Sequence, residues 1–272
     1  MNSPRAIFLD IDGTYASHGV VPPGHVEAVR AARAAGNLVL LCTGRPASAL
    51  PQTLSVAGFD GFVGAAGGYV SIAGKVLTDI RFPTELAART VSALDKHGVL
   101  YILESAEGLY ARPRAVGLIE RVRHAYSGND DSSQARRTLI TSADDLHAIT
   151  FGKVVCLDGE IALEDVAREI GPEVAVVATS IEDAGPGAGE LYLAHINKAV
   201  GMRVAMEALG IDVSDVIAFG DGLNDLEMLE FAGTAVAIEG ADPRILALAD
   251  HIAKGPQQEG LVASFKELGL IG

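Results

Sequence analysis

Two aspartates directly follow an apolar run near the start of the sequence, in AIFLDIDGTY at residues 6–15. Asp10 and Asp12 are two positions apart, so in an extended segment their side chains share a face, about 6.6 Å apart along the chain. In such a pair one carboxylate can attack an electrophile while the other protonates the leaving oxygen and then activates water. The spacing therefore predicts a nucleophile at Asp10 and an acid–base group at Asp12.

Two further apolar runs also end in polar residues. NLVLLCTG reaches Thr43, DVIAFGDG reaches Asp221, and Asp225 follows four residues later. Because ligands of open parallel sheets bind beyond the carboxyl ends of the strands, we expect these side chains to meet the first pair in one site. For any single residue of this set, the alternative is an ordinary turn former or helix N-cap.

Four carboxylates at one sheet edge repel each other unless a cation neutralises them. The sequence therefore predicts a metal site formed by Asp10, Asp12, Asp221 and Asp225. Oxygen ligands without nearby His or Cys suit a hard cation that also binds phosphate, so Mg²⁺ is the predicted cofactor. Attack by Asp10 on phosphorus is the chemistry that such an ion assists, because it screens the repulsion between two anions.

Candidate phosphate-binding residues lie in two other segments. In TGR, the Thr43 hydroxyl and the backbone N–H groups of Gly44 and Arg45 precede a helix expected over about 47–57. Lys198, in HINKAVG, precedes another predicted helix and offers a positive charge to the transferred group, with a solvated surface lysine as the alternative.

Both ends of the chain alternate short apolar runs with amphipathic helical patterns, as βα units around a parallel sheet do. The middle differs, because GVLYILES, GLYARP, KVVCLDG and EVAVVATS are typical of strands around a helix, EIALEDVAREIG. We therefore predict an α/β fold with a Rossmann-like parallel sheet core over 1–81 and 190–272, and an inserted α+β domain over 82–189. The Gly/Pro-rich loop EDAGPGAGE, at 182–190, is the expected far edge of the insert, next to the strand LYLAH.

Composition excludes several classes of partner. The 272 residues include 21 Lys and Arg against 35 Asp and Glu, a formal charge of −14, so nucleic acid would approach against the field whereas a small anion can bind where local cations dominate. The apolar runs are shorter than the roughly 20 residues of a membrane span, and the N-terminus lacks a signal-peptide pattern, so a cytoplasmic location without a membrane partner is predicted. Cys42 and Cys156 lie too far apart in sequence to suggest a disulfide framework or a zinc site.

Four motifs together resemble those of the haloacid dehalogenase (HAD) superfamily: DIDGT at 10–14, CTGR at 42–45, NK at 197–198 and GDGLNDLEML at 220–229. The last motif is similar to that of the Cof-type phosphatases, which carry a C2B-type cap domain between the second and third motifs. The resemblance implies a HAD-like core with such a cap as the insert. One departure is Gly67-Gly68, where relatives often have Asn-Gly, so a side-chain amide near the ligand is missing.

The same resemblance implies roles for individual residues. Asp10 would be nucleophile and metal ligand, and Asp12 would be the acid–base residue whose backbone carbonyl also binds Mg²⁺. Thr43 and Lys198 would bind the phosphoryl group. Asp221 would be a further metal ligand, and Asn224 and Asp225 would support it. Asn224 is also a candidate phosphate-binding residue.

The leading hypothesis is a Mg²⁺-dependent phosphatase that hydrolyses a small phosphorylated metabolite, with sugar phosphates as the favoured class, through an aspartyl-phosphate intermediate. A phosphomutase on the same fold is one alternative, and a non-catalytic sugar-phosphate sensor is another, although the sensor would fit better if Asp10 or Asp12 were replaced. A dehalogenase is disfavoured because that chemistry dispenses with the metal and with the acid–base carboxylate. In the insert, Arg112, Lys153 and Glu190 are candidate substrate contacts, with surface charges as the alternative.

Overall fold

The structure is a computed structural model that describes residues 4–118, 140–178 and 185–272, grouped into two compact units. The first unit spans Met1–Arg45, Leu50–Thr78 and Asn197–Gly272, and the second spans Pro46–Ala49 and Asp79–Ile196. The predicted insert at 82–189 falls inside the second unit, which also includes 79–81 and 190–196. Residues 179–180 and 182–184, which belong to the predicted strand EVAVVATS and to the predicted loop after it, lie outside the described residues.

The elements are numbered here in chain order. The strands are β1 (Ala6–Leu9), β2 (Leu38–Cys42), β3 (Gly61–Gly64), β4 (Tyr69–Ile72), β5 (Lys75–Asp79), β6 (Leu100–Glu104), β7 (Leu109–Ala111), β8 (Ile140–Ser142), β9 (Lys153–Asp158), β10 (Val174–Ala178), β11 (Gly189–Leu193), β12 (Val216–Gly220), β13 (Thr234–Ile238) and β14 (His251–Ala253). The α-helices used below are α1 (Pro23–Ala34), α2 (Thr84–Lys96), α3 (Leu163–Ile170), α4 (Lys198–Leu209), α5 (Leu226–Phe231), α6 (Pro243–Leu246) and α7 (Gly260–Glu267).

The sheet of the first unit has the order β14-β13-β12-β1-β2-β3-β4-β5. The pairings from β14 to β3 are all parallel, and β4 is antiparallel to β3. The chain leaves β1 towards β2 and later returns to the other side of β1 with β12, so the strand order reverses at β1 and opens a crevice at its carboxyl end. The predicted α/β fold with a Rossmann-like parallel sheet is confirmed.

Alternating side chains of the central strands build an apolar layer on each face of this sheet. Ile7 and Leu9 of β1 belong to the layer that includes α1 and α7, whereas Ala6 and Phe8 belong to the layer that includes α4, α5 and α6. All residues of β1 and β12 are buried. Such burial on both faces explains why these strands are continuous apolar runs rather than alternating ones.

The predicted helix over 47–57 is wrong. The chain there forms two short 3₁₀ turns, Ala47–Ala49 and Gln52–Leu54, on either side of Pro51. Proline has no N–H to donate to a helical ladder and disfavours the α conformation of the residue before it, here Leu50. The TGR segment therefore does not lead into an α-helix.

The second unit has a six-stranded sheet of order β10-β11-β9-β6-β7-β8. Most of its pairings are antiparallel, with β7 and β8 parallel, and α2 packs against α3. Because β11 pairs with both β9 and β10, residues 190–193 belong to this unit and not to the core to which the sequence analysis assigned them. Within the described part of the chain, no helix is long and apolar enough to cross a bilayer.

A buried histidine ties the two ends of the first unit's chain together. The backbone N–H of Leu261, at the start of α7, donates to Nε2 of His25 at 3.2 Å, so Nδ1 carries the proton and donates to the Tyr15 carbonyl at 2.9 Å. Burial lowers the pKa of His25 below its usual 6.5, against the opposing effects of the Tyr15 bond and Glu259. The folded state thus prefers the neutral ring.

We expect His25 to make the protein less stable in mild acid. His25 binds a proton near pH 6.5 in the unfolded chain and only at a lower pH in the folded chain. Its contribution to stability is therefore fully present above pH 6.5 and is lost as the pH falls below that value. When the pH is lowered from 7.5 to 5.5, the thermal unfolding midpoint should fall more for the wild type than for His25→Gln. His251→Gln, which changes an exposed histidine, is the control and should track the wild type. Equal acid sensitivity of wild type and His25→Gln would contradict the assignment.

Candidate active site

Three of the predicted site residues follow adjacent parallel strands, as expected. Asp10 comes after β1, Thr43 after β2 and Asp221 after β12. Leu9 is in register with Leu41 of β2 and Phe219 of β12, and the Asp10 N–H donates to the Phe219 carbonyl at 3.0 Å. Asp10 and Thr43 are buried. The crevice at the carboxyl end of β1 is therefore lined with polar groups on buried strands.

Lys198 lies inside this group and not on the surface. Its side chain is 0% exposed, and its Nζ lies 2.6 Å from Asp10 Oδ1 and 2.5 Å from Asp225 Oδ1. It is the first residue of α4, whose N-cap, Asn197, accepts a hydrogen bond from the Val200 N–H. Although burial opposes the shift, the Asp10 and Asp225 carboxylates raise the pKa of Lys198 above its usual value. The ammonium group therefore bridges two carboxylates as a cation.

Asp225 uses both of its carboxylate oxygens within the protein. Oδ1 accepts from Lys198, while Oδ2 accepts from the backbone N–H groups of Asp221 and Gly222, each at 3.0 Å. These two amides belong to the turn that follows β12. Asp225 thus fixes both the turn that carries Asp221 and the ammonium group beside Asp10.

Sequence reasoning missed a direct partner of Asp221. The Thr14 hydroxyl donates to Asp221 Oδ1 at 2.7 Å. Gly13, the residue before Thr14, has φ +97°, and a Cβ there would lie 2.2 Å from Asp221 Oδ2. Only glycine allows this approach without displacing the carboxylate. The signal was present in DIDGT, whose Gly-Thr pair follows the two aspartates.

The acidic side chains that come together among the described residues are Asp10, Asp221 and Asp225. One carboxylate oxygen of each lies within 4.8 Å of one oxygen of each of the other two. Burial raises the pKa of Asp10 to about 8, opposed by Lys198 and reinforced by the other two carboxylates. Burial likewise raises the pKa of Asp221 to about 6, against the hydrogen bond from Thr14. A set of close carboxylate oxygens whose negative charge is under-compensated fits a hard divalent cation.

Asp12 lies apart from this group in its side-chain contacts. Both of its carboxylate oxygens accept hydrogen bonds from Arg45, from Nε at 2.8 Å and from Nη2 at 2.7 Å, and its side chain is 51% exposed. Asp12 was expected on the same face as Asp10, with the turn at Gly13 shortening the distance between them. The chain does turn after β1, where the Gly13 N–H donates to the Ala16 carbonyl at 2.9 Å, and the acid–base role of Asp12 stays a prediction.

The remaining predicted phosphate-binding residues differ in their surroundings. Thr43 Oγ1 accepts from the Arg45 N–H at 3.3 Å, and the Thr43 N–H donates to Val63 of β3 at 2.9 Å. Gly44 lies between these two anchored residues. Asn224 is exposed within the short turn Leu223–Asp225. Their roles in phosphate binding stay predictions.

Two glycines allow the start of α4 to approach the loop after β3. Gly67 has φ +106°, and a Cβ there would lie 1.9 Å from the Asn197 carbonyl oxygen. Gly201, one turn into α4, would place a Cβ 2.5 Å from Val63 Cγ1 and 2.9 Å from the Gly67 carbonyl oxygen. Close backbone packing thus determines where Lys198 enters the site.

The three candidate contacts of the second unit are all engaged in ion pairs there. Lys153 is only 5% exposed, so it is not a surface charge, and its Nζ lies 2.9 Å from Glu190 and 3.2 Å from Glu104. Arg112 Nε donates to Asp95 Oδ1 at 2.9 Å, beside a cavity of about 390 Å³. Roles in substrate binding stay predictions for these residues.

Comparison with known proteins places the chain in a family. The haloacid dehalogenase-like hydrolase family is matched over residues 7–265. The chain belongs to this family. The match spans both units and all four motifs, so the predicted superfamily is confirmed.

Individual relatives of this family cover nearly the whole chain. YkrA of Bacillus subtilis (strain 168) is 28% identical over 98% of both chains. A phosphoglycolate phosphatase of Methanothermobacter thermautotrophicus is 27% identical over 96% of this chain and 97% of that protein. The structure of a HAD subclass IIB sugar phosphatase superposes with a TM-score of 0.80 at 24% identity, over 98% of this chain and 100% of that one, and shows the shared fold. The predicted enzyme class, a HAD-type phosphatase, agrees with these matches.

Proposed function

We propose that this chain is a metal-dependent phosphatase that hydrolyses a small phosphorylated metabolite through an aspartyl-phosphate on Asp10. The observation that carries the proposal is the buried Asp10 carboxylate at the end of β1, close to two further carboxylates and 2.6 Å from the Lys198 ammonium group. A buried carboxylate beside a fixed cation is suited to attack phosphorus, because the cation offsets the negative charge of the transferred group.

The reaction needs two displacements at phosphorus. In the first, an Asp10 oxygen forms a bond to phosphorus, the bond to the leaving oxygen breaks, and Asp12 gives that oxygen a proton. In the second, Asp12 takes a proton from water, whose oxygen attacks phosphorus and releases Asp10 and inorganic phosphate. Lys198 stays bound to Asp225 throughout and balances charge on the phosphoryl group.

Asp10 and Asp221 are the proposed side-chain ligands of a Mg²⁺ ion, with Asp225 as the residue that positions them, since both of its oxygens are already hydrogen-bonded. Bound there, the ion supplies positive charge that favours the ionised Asp10 and screens its repulsion from phosphate. Thr14 and Gly13 keep the Asp221 carboxylate in place for this role.

Metal removal is expected to stop hydrolysis. Treatment with EDTA should reduce turnover of p-nitrophenyl phosphate to background, and added Mg²⁺ should restore it. The same additions should change thermal stability, because a ligand that binds only the folded state raises the unfolding midpoint. Undiminished turnover in EDTA, with the chelator in large excess, would contradict a metal-dependent reaction.

Sugar phosphates are the proposed substrate class. The names of a relative and of a structural neighbour, a phosphoglycolate phosphatase and a sugar phosphatase, support a small phosphorylated substrate. Phosphate release across a panel of phosphorylated sugars, acids and nucleotides tests the class. Isomerised phosphate esters in place of free phosphate would favour a phosphomutase, and binding of sugar phosphates without turnover would favour a sensor.

A further inference from the structure

The Asp12–Arg45 pair has the geometry of a fixed positioning contact. The two side chains share two parallel hydrogen bonds across 33 residues of sequence, and Arg45 is 18% exposed against 51% for Asp12. Such a bidentate pair restrains the rotamers of both side chains. The carboxylate-matching edge of the guanidinium, formed by Nε and Nη2, is used entirely by Asp12.

The backbone of Arg45 is anchored from two sides. Its N–H donates to Thr43 Oγ1 at 3.3 Å, and its carbonyl accepts from the Ala65 N–H at 2.9 Å in the loop after β3. Asp12 is held in its own turn, where the Ala16 N–H donates to the Ile11 carbonyl at 2.7 Å. The pair therefore joins two turns that are each fixed at the sheet edge.

We propose that Arg45 is a positioning residue for Asp12 and not a ligand of the phosphoryl group. This inference rests on the proposed function, in which Asp12 transfers a proton to the leaving oxygen. A half-exposed aspartate has several accessible rotamers, and the bidentate contact selects one of them. Because proton transfer depends steeply on geometry, loss of this contact impairs Asp12 without changing the binding of phosphate.

The dependence of the rate on the leaving group separates the two roles. An alkyl phosphate needs a proton on its leaving oxygen, whereas p-nitrophenolate leaves without one. Arg45→Met should therefore lower kcat/KM for an alkyl phosphate by about 10²-fold, and for p-nitrophenyl phosphate by less than about tenfold. This ratio is the quantity to compare, because it covers the steps up to departure of the leaving group and excludes the later hydrolysis of the aspartyl-phosphate, which Asp12 assists for both substrates. Arg45→Lys, which keeps the charge but not the fork, should recover part of the alkyl-phosphate rate.

Two comparisons complete the experiment. Asp12→Asn combined with Arg45→Met should be no slower on the alkyl phosphate than Asp12→Asn alone, because both changes remove the same function. Arg33→Gln is the matched control: Arg33 makes a similar bidentate pair with Asp60, at the opposite, amino end of β3, and its loss should leave the ratio of the two rates unchanged.

The outcomes distinguish this inference from the function on which it rests. Unequal losses, with an unchanged Kd for inorganic phosphate measured calorimetrically in Mg²⁺, support Arg45 as a positioning residue. Equal losses on both substrates, or a phosphate Kd weakened about tenfold, overturn it and assign Arg45 to the phosphoryl group while leaving the phosphatase intact. A wild-type protein that hydrolyses no phosphate ester overturns both.

Discussion

Replacing Asp10 by Asn is expected to lower kcat for p-nitrophenyl phosphate by roughly 10⁴- to 10⁶-fold, the range seen when a catalytic nucleophile is removed. The Asn amide has nearly the shape of the carboxyl group but cannot form the acyl-phosphate bond. Turnover would be measured as released nitrophenolate in saturating Mg²⁺. A variant that retains wild-type turnover would contradict the assignment of the nucleophile.

The fold is expected to survive this substitution. Burial raises the pKa of Asp10 to about 8, so in the metal-free protein a neutral group at this position is tolerated, and Lys198 keeps its contact with Asp225. The thermal midpoint of metal-free Asp10→Asn should therefore be no lower than that of the wild type. Asp250→Asn is a suitable control, because Asp250 accepts from the Ala235 N–H at the amino end of β13, and this variant should keep its activity.

Lys198→Met is expected to have the second largest effect, on both stability and activity. Breaking a buried ion pair by removing one partner typically costs about 3–5 kcal/mol, because the other charge stays buried without compensation. Lys198 is fully buried and contacts two carboxylates, Asp10 and Asp225. The free energy of unfolding of the metal-free protein should fall by that amount, and hydrolysis should be lost.

Two further variants test the reason for this loss. Lys266→Met, which changes an exposed lysine of α7, should leave stability and activity close to wild type. Lys198→Met combined with Asp225→Asn should recover part of the lost stability, because the Asp225 carboxylate that the single variant leaves without a cation is then removed as well. No recovery in the double variant would assign the cost to packing rather than to charge.

Part of the site could be predicted from the sequence, because some of its residues directly follow strands that are readable as apolar runs. Asp10, Thr43 and Asp221 each follow an apolar run, and a run of that kind predicts a buried parallel strand whose carboxyl end faces the ligand. The burial of Lys198 was harder to predict, because a lysine at the start of a helix has the same local sequence whether it is exposed or buried. Only the tertiary contacts with Asp10 and Asp225 distinguish the two cases.

Other features depend on partners far away in the chain. Residues 190–193, most of β11, were expected in the core because their own sequence does not specify that they pair with β9 and β10. The helix expected over 47–57 failed for a local reason that was readable, namely Pro51 in its middle. The binding of Arg45 to Asp12 joins residues 33 positions apart, and neither short motif carries a sign of it.

The contact between Gly67 and the Asn197 carbonyl has a consequence for protein engineering. The position of the Lys198 ammonium group depends on how closely the main chains of segments 61–68 and 197–201 pack. There is no room between them for a Cβ at Gly67 or Gly201. Chimaeras between this protein and its relatives should therefore exchange both segments as one block. A crossover that separates them would mismatch two backbones at their point of closest approach and displace the lysine even where every active-site side chain is retained.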